Sequence, residues 1–219
     1  MPGLIDTPID KKNIGLGKLL YELRQDLDIY CLIAVNAGEI KKRRIANSFF
    51  AHVQRLALSS IALNICKILE EQKRGYEINS IRGVLHHLLT LPPIAFDDVQ
   101  LRDFIRKYHG PFDFESPICA LQSTIDEFRD KHKVELDRFK TVRDKRAAHS
   151  EYGFADGTLP SYGVMEELFD FGVDFYGLIH AAFVVGVVPY DFKTGRKVKV
   201  SLKRLLQELG LEAIKTEME

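Results

Sequence analysis

Cysteine is scarce in this chain of 219 residues. There are three, Cys31, Cys66 and Cys119, far apart, odd in number and without a C-x-x-C pair. That pattern argues against a disulfide framework and against a cysteine zinc site. Each reads as a small apolar residue within a helical stretch, as in a reduced compartment. Only eight prolines and 15 glycines exclude collagen-like and low-complexity classes. Long hydrophobic runs are missing too: the longest, Ala181 to Val188, has eight residues, against about 20 for a spanning helix. Met1 to Asp10 has neither a basic nor an apolar region of the kind a secretory signal carries. Neither sign of charge prevails, with 31 Lys+Arg and 31 Asp+Glu. A strongly basic nucleic-acid sponge and an acidic disordered tail are thereby excluded. The expectation is a soluble, cytoplasmic protein with no membrane partner.

What is present is ordinary globular composition, 46% hydrophobic and 28% charged. At about 150 residues per domain the length favours a single domain, able to bury roughly 70% of its unfolded surface. We expect one helical domain over 1–219, with a core about 45–186 and a basic extension about 187–219. No repeat and no Gly/Ser linker divides it.

Apolar residues recur at three- and four-residue steps along most of the chain. This predicts helices from Asp10 to about Gly38 and from about Ile45 to Gln72. A short helix capped by Asn79 or Ser80 should run to Leu89, and another capped by Asp98 to about Lys107. Ser116-Pro117 is an N-cap followed by proline at the first helical position. It should open a helix reaching about His149, its apolar stripe interrupted at His132 and Glu135. Ser161 should cap a helix from about Val164 to Gly186. Val187 to Lys199 reads as turn-rich, a short hairpin at most, and Ser201 as the N-cap of a last helix ending at Gly210. The fold class is all-α, an antiparallel helical bundle with long core helices and short peripheral ones.

The zero net charge conceals segregation. Lys41 to Arg55 holds five Lys/Arg and no acid, and Lys193 to Arg204 holds six and no acid. Lys131 to His149 holds seven against Glu135, Asp137 and Asp144, whereas Glu151 to Ala182 holds six acids and no Lys/Arg. Helix dipoles alone account for some of this. The other reading is a set of basic stretches converging on a phosphate-binding face.

The segment richest in chemistry is Phe139-Lys140-Thr141-Val142-Arg143-Asp144-Lys145-Arg146-Ala147-Ala148-His149-Ser150. It sets guanidinium groups, a further cation and an imidazole at a helix end. Arginine clamps phosphate oxygens bidentately and stays charged. Histidine exchanges a proton near neutral pH. Ala147 and Ala148 permit close approach of a ligand or another backbone. The set suits metal-independent phosphodiester chemistry, with His149 deprotonating a ribose 2′-hydroxyl and Arg143 stabilising charge on the phosphate. Lys145 and Arg146 would hold flanking phosphates, and Asp144 would orient Arg143 or His149 while partly offsetting the cations.

Arg143, Asp144 and His149 resemble the signature of the HEPN superfamily: an Arg, a polar residue next, then a His after four to six intervening positions. The Asp-Lys pair and the Ala-His ending look most like an abortive-infection-associated branch. The resemblance implies an all-α domain common in bacterial defence and toxin–antitoxin systems. It also implies cofactor-free and metal-free RNA cleavage in active members, usually by homodimers that join two copies of the motif. Inactive members bind or scaffold, and antitoxin partners, often nucleotidyltransferases, neutralise the family.

Geometry leaves one choice open. Six steps at about 100° put Arg143 and His149 ~120° apart around a straight helix, whereas Arg146 and His149, three steps apart, differ by only ~60°. Either the helix bends or ends before His149, or the pair forms across a dimer, or Arg146 is the working cation. Other candidates read as structural. Gly15-Leu16-Gly17-Lys18 lacks the phosphate-loop spacing. Of His86 and His87, one should be buried and one exposed. His132 and His180 should be core or interface histidines. Phe169, Phe171, Phe175 and Tyr176 should be core rather than a stacking platform. Glu166 and Glu167 should favour the first-turn dipole. Three functions therefore stand: a ribonuclease, a non-catalytic helical module binding a nucleotide, RNA or a partner protein, and a basic turn that is only a helix end.

Overall fold

Leu16, Leu19, Leu20, Leu23 and Leu27 are spaced to share one face of a helix, and all five are buried. Each such leucine contributes about 1.5–3 kcal/mol when fully removed from water. They belong to α1, Leu16–Arg43. The structure, a computed structural model, describes residues 15–69, 80–89, 98–110, 116–148, 159–183, 192 and 197–211. The side chains of 98, 145–148 and 183 fall outside that description. Among the described residues seven more helices follow: α2 Asn47–Ile68, α3 Ile81–Leu89, α4 Asp98–Tyr108, α5 Pro117–Lys131, α6 Lys133–Ala148, α7 Tyr162–Phe183 and α8 Lys197–Glu208. No strand occurs among the described residues, and the fold is the all-α bundle expected.

Helix α1 overruns its expected end at Gly38. Ile40 is buried beside Leu32 and Ile33, and Lys41, Lys42 and Arg43 place cations on the carbonyl end. Arg44 stops the helix by entering the left-handed region at φ 56°, and Ile45 N–H returns to the Ile40 carbonyl. Only 44–46 separate α1 from α2, which packs beside it through Leu58, Ile61, Ala62 and Ile65. A short connection of this kind makes neighbours antiparallel. Helix α7 then crosses α1 closely. A Cβ built at Gly172 would come within 2.7 Å of Leu20 Cδ2, so glycine is what permits the approach.

Caps fall largely where side-chain chemistry places them. Ser116 Oγ accepts from Cys119 N–H at 3.2 Å, Ser80 Oγ from Gly83 N–H at 3.0 Å and Ser161 Oγ from Val164 N–H at 3.3 Å. Two expectations fail. The single helix from Pro117 to His149 is two helices, broken where His132 adopts φ −103° and ψ 17°. The break lets one apolar stripe serve two partners. In α5, Phe128 stacks on Phe171 of α7 with centroids 3.8 Å apart, while α6 packs Phe139 and Val142 into the core and lies along α2. Ser201 is not an N-cap but an interior residue of α8, which starts four residues earlier with Lys197 already helical. Leu202 and Leu206 of α8, with Leu209 just beyond it, face a second apolar cluster on α1 and α2. The proposed hairpin lies outside the described residues except for 192 and 197–199, the last three helical.

Phe169, Phe171, Phe175 and Tyr176 are all core. Gly15 to Lys18 is the opening of α1. Helix α2 has the length and apolar composition of a membrane span, yet its inward face is core, and no described helix is a clear span.

Candidate functional site

Helix α6 turns Phe139 and Val142 inward, at 0% and 1% exposure. That fixes which way Lys140, Thr141, Arg143 and Asp144 point. Thr141 returns its hydroxyl to the Asp137 carbonyl at 2.8 Å, and Arg143 emerges beside Val142 at the rim of the core. Its side chain is 29% exposed, that of Asp144 56%. The Arg143 Nε and Nη2 groups donate to the same oxygen, Asp144 Oδ1, at 2.9 and 2.8 Å. An exposed pair of this type contributes roughly 0–1 kcal/mol to stability. Its larger effect is local: the carboxylate fixes the plane of the guanidinium and offsets part of its charge. Lys145 and Arg146 follow on the last turn of α6, and their side chains are outside the described residues. His149 is the residue after the helix and is outside them as well.

The chain rejoins the described fold at Leu159 and is tied down at once. Ser161 caps α7, and four residues into that helix Glu166 meets Arg24 of α1. Arg24 Nη1 donates to Glu166 Oε2 at 2.7 Å and Nη2 to Oε1 at 2.8 Å, a bidentate pair. Nη2 also reaches Asp28 Oδ1 at 2.9 Å and Tyr162 Oη at 3.1 Å, and the Tyr162 hydroxyl donates to Glu166 Oε1. The guanidinium carbon sits 5.0 Å from the Phe169 ring centroid. Burial opposes the charged form of Glu166, but hydrogen bonds from Arg24 and Tyr162 and the Arg24 charge hold its carboxyl below the usual range. For Arg24, burial likewise opposes the charge, and Glu166 outweighs it, so the guanidinium is raised.

The first-turn reading of Glu166 and Glu167 is thus corrected. Helix α7 begins at Tyr162, so both carboxylates sit past the first turn. They answer cations on other helices, Glu166 through Arg24 and Glu167 through Lys131 at 2.7 Å. Asp174 does the same for Lys107 at 2.6 Å and accepts from Tyr108 at 2.7 Å. Three acids of the stretch are therefore matched by cations of α1, α5 and α4. Sequence reasoning passed over Arg24, although its signal was present: an arginine inside a leucine stripe, with Asp28 four residues on.

His132 is 4% exposed, with its ring 4.6 Å from Phe128 and Nε2 3.3 Å from Glu167 Oε1; His180 is 2% exposed. Both are core. His86 is exposed and His87 only half-buried, short of the burial expected for one of them. Asp26, on α1 above Ser60, is pushed up to about 6 by burial, against which the Ser60 hydroxyl acts. A carboxyl raised in the folded state favours folding most below its unfolded value of 3.8 and loses that contribution as pH rises through about 6. Asp26→Asn is therefore expected to raise the melting temperature at pH 7 and to change it little at pH 4. Equal shifts at both pH values would disprove the coupling.

The sequence profile of the HEPN_AbiU2 family, described as AbiU2, matches residues 14–201. The chain belongs to the HEPN_AbiU2 family. The match takes in α1 through α7 and the first residues of α8, and so includes Arg143, Asp144 and His149. No curated protein and no solved structure matches the chain. The HEPN_AbiU2 assignment confirms the resemblance to an abortive-infection-associated HEPN branch and agrees with the all-α fold.

Proposed function

We propose that this HEPN_AbiU2 protein is a metal-independent endoribonuclease of a bacterial defence or toxin–antitoxin system, working in the cytoplasm. The observation that carries the proposal is the Arg143–Asp144 pair at the rim of α6, five residues before His149. A guanidinium held in a fixed plane at a partly exposed helix end suits the non-bridging oxygens of a phosphodiester. His149 takes the proton of the 2′-hydroxyl, the 2′-oxygen bonds to phosphorus, and the bond from phosphorus to the 5′-oxygen breaks. The leaving oxygen gains a proton, which gives a 2′,3′-cyclic phosphate and a 5′-hydroxyl. Arg143 offsets the charge that grows on the phosphate. Lys145 and Arg146 hold its neighbours. A homodimer supplies a second motif, whose protonated histidine serves the leaving group, and an antitoxin partner would cover the same cleft.

The test is incubation of the purified protein with structured RNA in EDTA. Fragments ending in a 2′,3′-cyclic phosphate are expected; intact RNA at all protein concentrations would overturn the proposal in favour of a binding module. Asp144→Asn separates the two effects of that carboxylate. Removing one negative charge about 4 Å from a phosphate is worth about 1 kcal/mol in water, so RNA should bind about fivefold tighter. The single-turnover rate should fall, because the guanidinium loses its clamp. An unchanged affinity and an unchanged rate would together remove Asp144 from the mechanism.

A further inference from the structure

Two basic stretches, 150 residues apart in sequence, are joined where the C-terminal end of α8 meets the end of α1. Helix α1 ends in the exposed residues Lys41, Lys42 and Arg43, followed by exposed Arg44. Helix α8 lies against that end. Leu206 and Leu211 share a buried cluster with Ile33, Ile40 and Phe50, and Leu202 and Leu209 pack beside Ile45 and Val53. Arg43 donates to the Gly210 carbonyl, which ties the end of α8 to the end of α1. The same helix displays Lys197 and Arg204 outward, with Lys203 half-exposed. Acids are few among the described residues here. Residues 29–69 contain Glu39 alone, 3.6 Å from Lys42, and α8 adds Glu208 at its last position.

The turn that presents these cations is strained. Arg44 and Ala46 are both left-handed, at φ 56° and 43°, and neither is glycine. Such residues persist where the surroundings hold them, and they gather at functional sites. The turn leads straight to Phe49, whose ring is 58% exposed in the first turn of α2. An exposed aromatic beside dispersed cations is the composition of a single-strand platform: cations follow the phosphates and the ring stacks a base. A lipid surface fits less well. An interfacial helix inserts a continuous apolar face, and α8 keeps Leu202 and Leu206 against α1 and α2 while only Val200 and Leu205 of its apolar residues are exposed, beside Lys203 and Arg204.

We infer that the α1–α2 turn and the outward side of α8 form an anchoring surface for single-stranded RNA, a contact region separate in sequence from the Arg143–His149 motif. The inference rests on the proposed function only in taking RNA as the ligand. The surface adds affinity and holds a strand without touching the scissile phosphate.

The experiment uses the full chain carrying His149→Ala, so that RNA stays intact, and a labelled 12-nucleotide oligouridylate in EDTA. Lys41→Ala, Lys42→Ala and Arg44→Asn are combined, asparagine being chosen because it tolerates positive φ. Losing three phosphate contacts should weaken binding by about tenfold or more at low salt and lower the slope of log Kd against log salt by about 2. Phe49→Ala should weaken binding at least fivefold while leaving that slope unchanged. Circular dichroism melts verify that each variant is folded; Lys203→Ala with Arg204→Ala, which leaves the strained turn unaltered, gives an independent reading if one is not. An unchanged Kd and slope would overturn the inference. So would RNA binding that survives while binding to vesicles of 70% phosphatidylcholine and 30% phosphatidylserine is lost. Cleavage is read separately with His149 intact, so a protein that anchors RNA without cutting it contradicts the proposed activity and leaves the anchor standing.

Discussion

His149→Ala is expected to lower the rate of RNA cleavage in EDTA by about 100- to 10,000-fold, the contribution of a positioned general acid–base group. The wild-type rate should pass through a maximum in the imidazole range near neutrality, where one motif's histidine is neutral and the other's protonated, and that dependence should vanish in the variant. Arg143→Lys should lose about 100-fold, because an ammonium keeps the charge but not the planar fork that matches phosphate. Arg146→Ala decides between the two arginines. If Arg143 is the catalytic cation, removing Arg146 weakens RNA binding and leaves the single-turnover rate within a few-fold. If the rate instead collapses with Arg146 and survives loss of Arg143, the roles are reversed. Helix α6 continues through Ala148, so positions 143 and 146, three residues apart, differ by only ~60° around its axis. Full cleavage by His149→Ala would end the ribonuclease reading whatever the arginines do.

Most of the helices were legible because they are local in cause. A leucine stripe such as Leu16 to Leu27 forces a helical period, and Ser116-Pro117 and Ser161 announce helix starts through backbone N–H groups only a turn away. What was not legible depends on partners distant in sequence. The stripe from Ile118 to Val142 is interrupted at His132 and Glu135, yet nothing in it says that α5 must face α7 while α6 faces α2; the helix breaks at His132, and both are satisfied. The end of α1 was misplaced for the same reason. Gly38 looks like a stop, but Ile40 has a buried seat against Leu32, Ile33 and the leucines of α8, and that seat carries the helix on to Arg43.

The site divides similarly. Asp144 pairs with Arg143, one of the two partners, Arg143 or His149, that the sequence offers it. The neutralisation of the acidic stretch was not legible there. Glu166, Glu167 and Asp174 looked like a surplus of negative charge, and each is matched by a cation from a different helix. The convergence of Lys41–Arg44 with α8 depends on leucines that no spacing rule connects across 150 residues. Burial also sets the difference between an exposed pair such as Arg143–Asp144, which contributes little to stability, and a deep one such as Arg24–Glu166.

That deep pair carries the second large effect. Arg24→Ala is expected to destabilise the protein by about 3–5 kcal/mol, because it leaves two carboxylates without their cation. The Asp28 side chain is 2% exposed and that of Glu166 25%, so water compensates little for the first and part of the second. A chemical denaturation midpoint well below wild type, with an unchanged slope, would report it. Replacing the whole set by apolar residues, Arg24→Met with Asp28→Leu and Glu166→Leu, should recover most of the loss, since desolvation of the pair disappears together with the attraction. The pH dependence has a defined sign. Glu166 is held below its unfolded range, so its contribution is complete above about 4.5 and is lost as pH falls through its folded value. In wild type that loss should appear below pH 4.5, and in the triple variant it should shrink. The network also ties α7 to α1 just beyond the segment that carries His149, so Arg24→Ala should reduce cleavage even at temperatures where the chain stays folded. Stability equal to wild type would mean that the bidentate pair contributes nothing net. A destabilised variant with full cleavage would separate the strut from the catalytic segment.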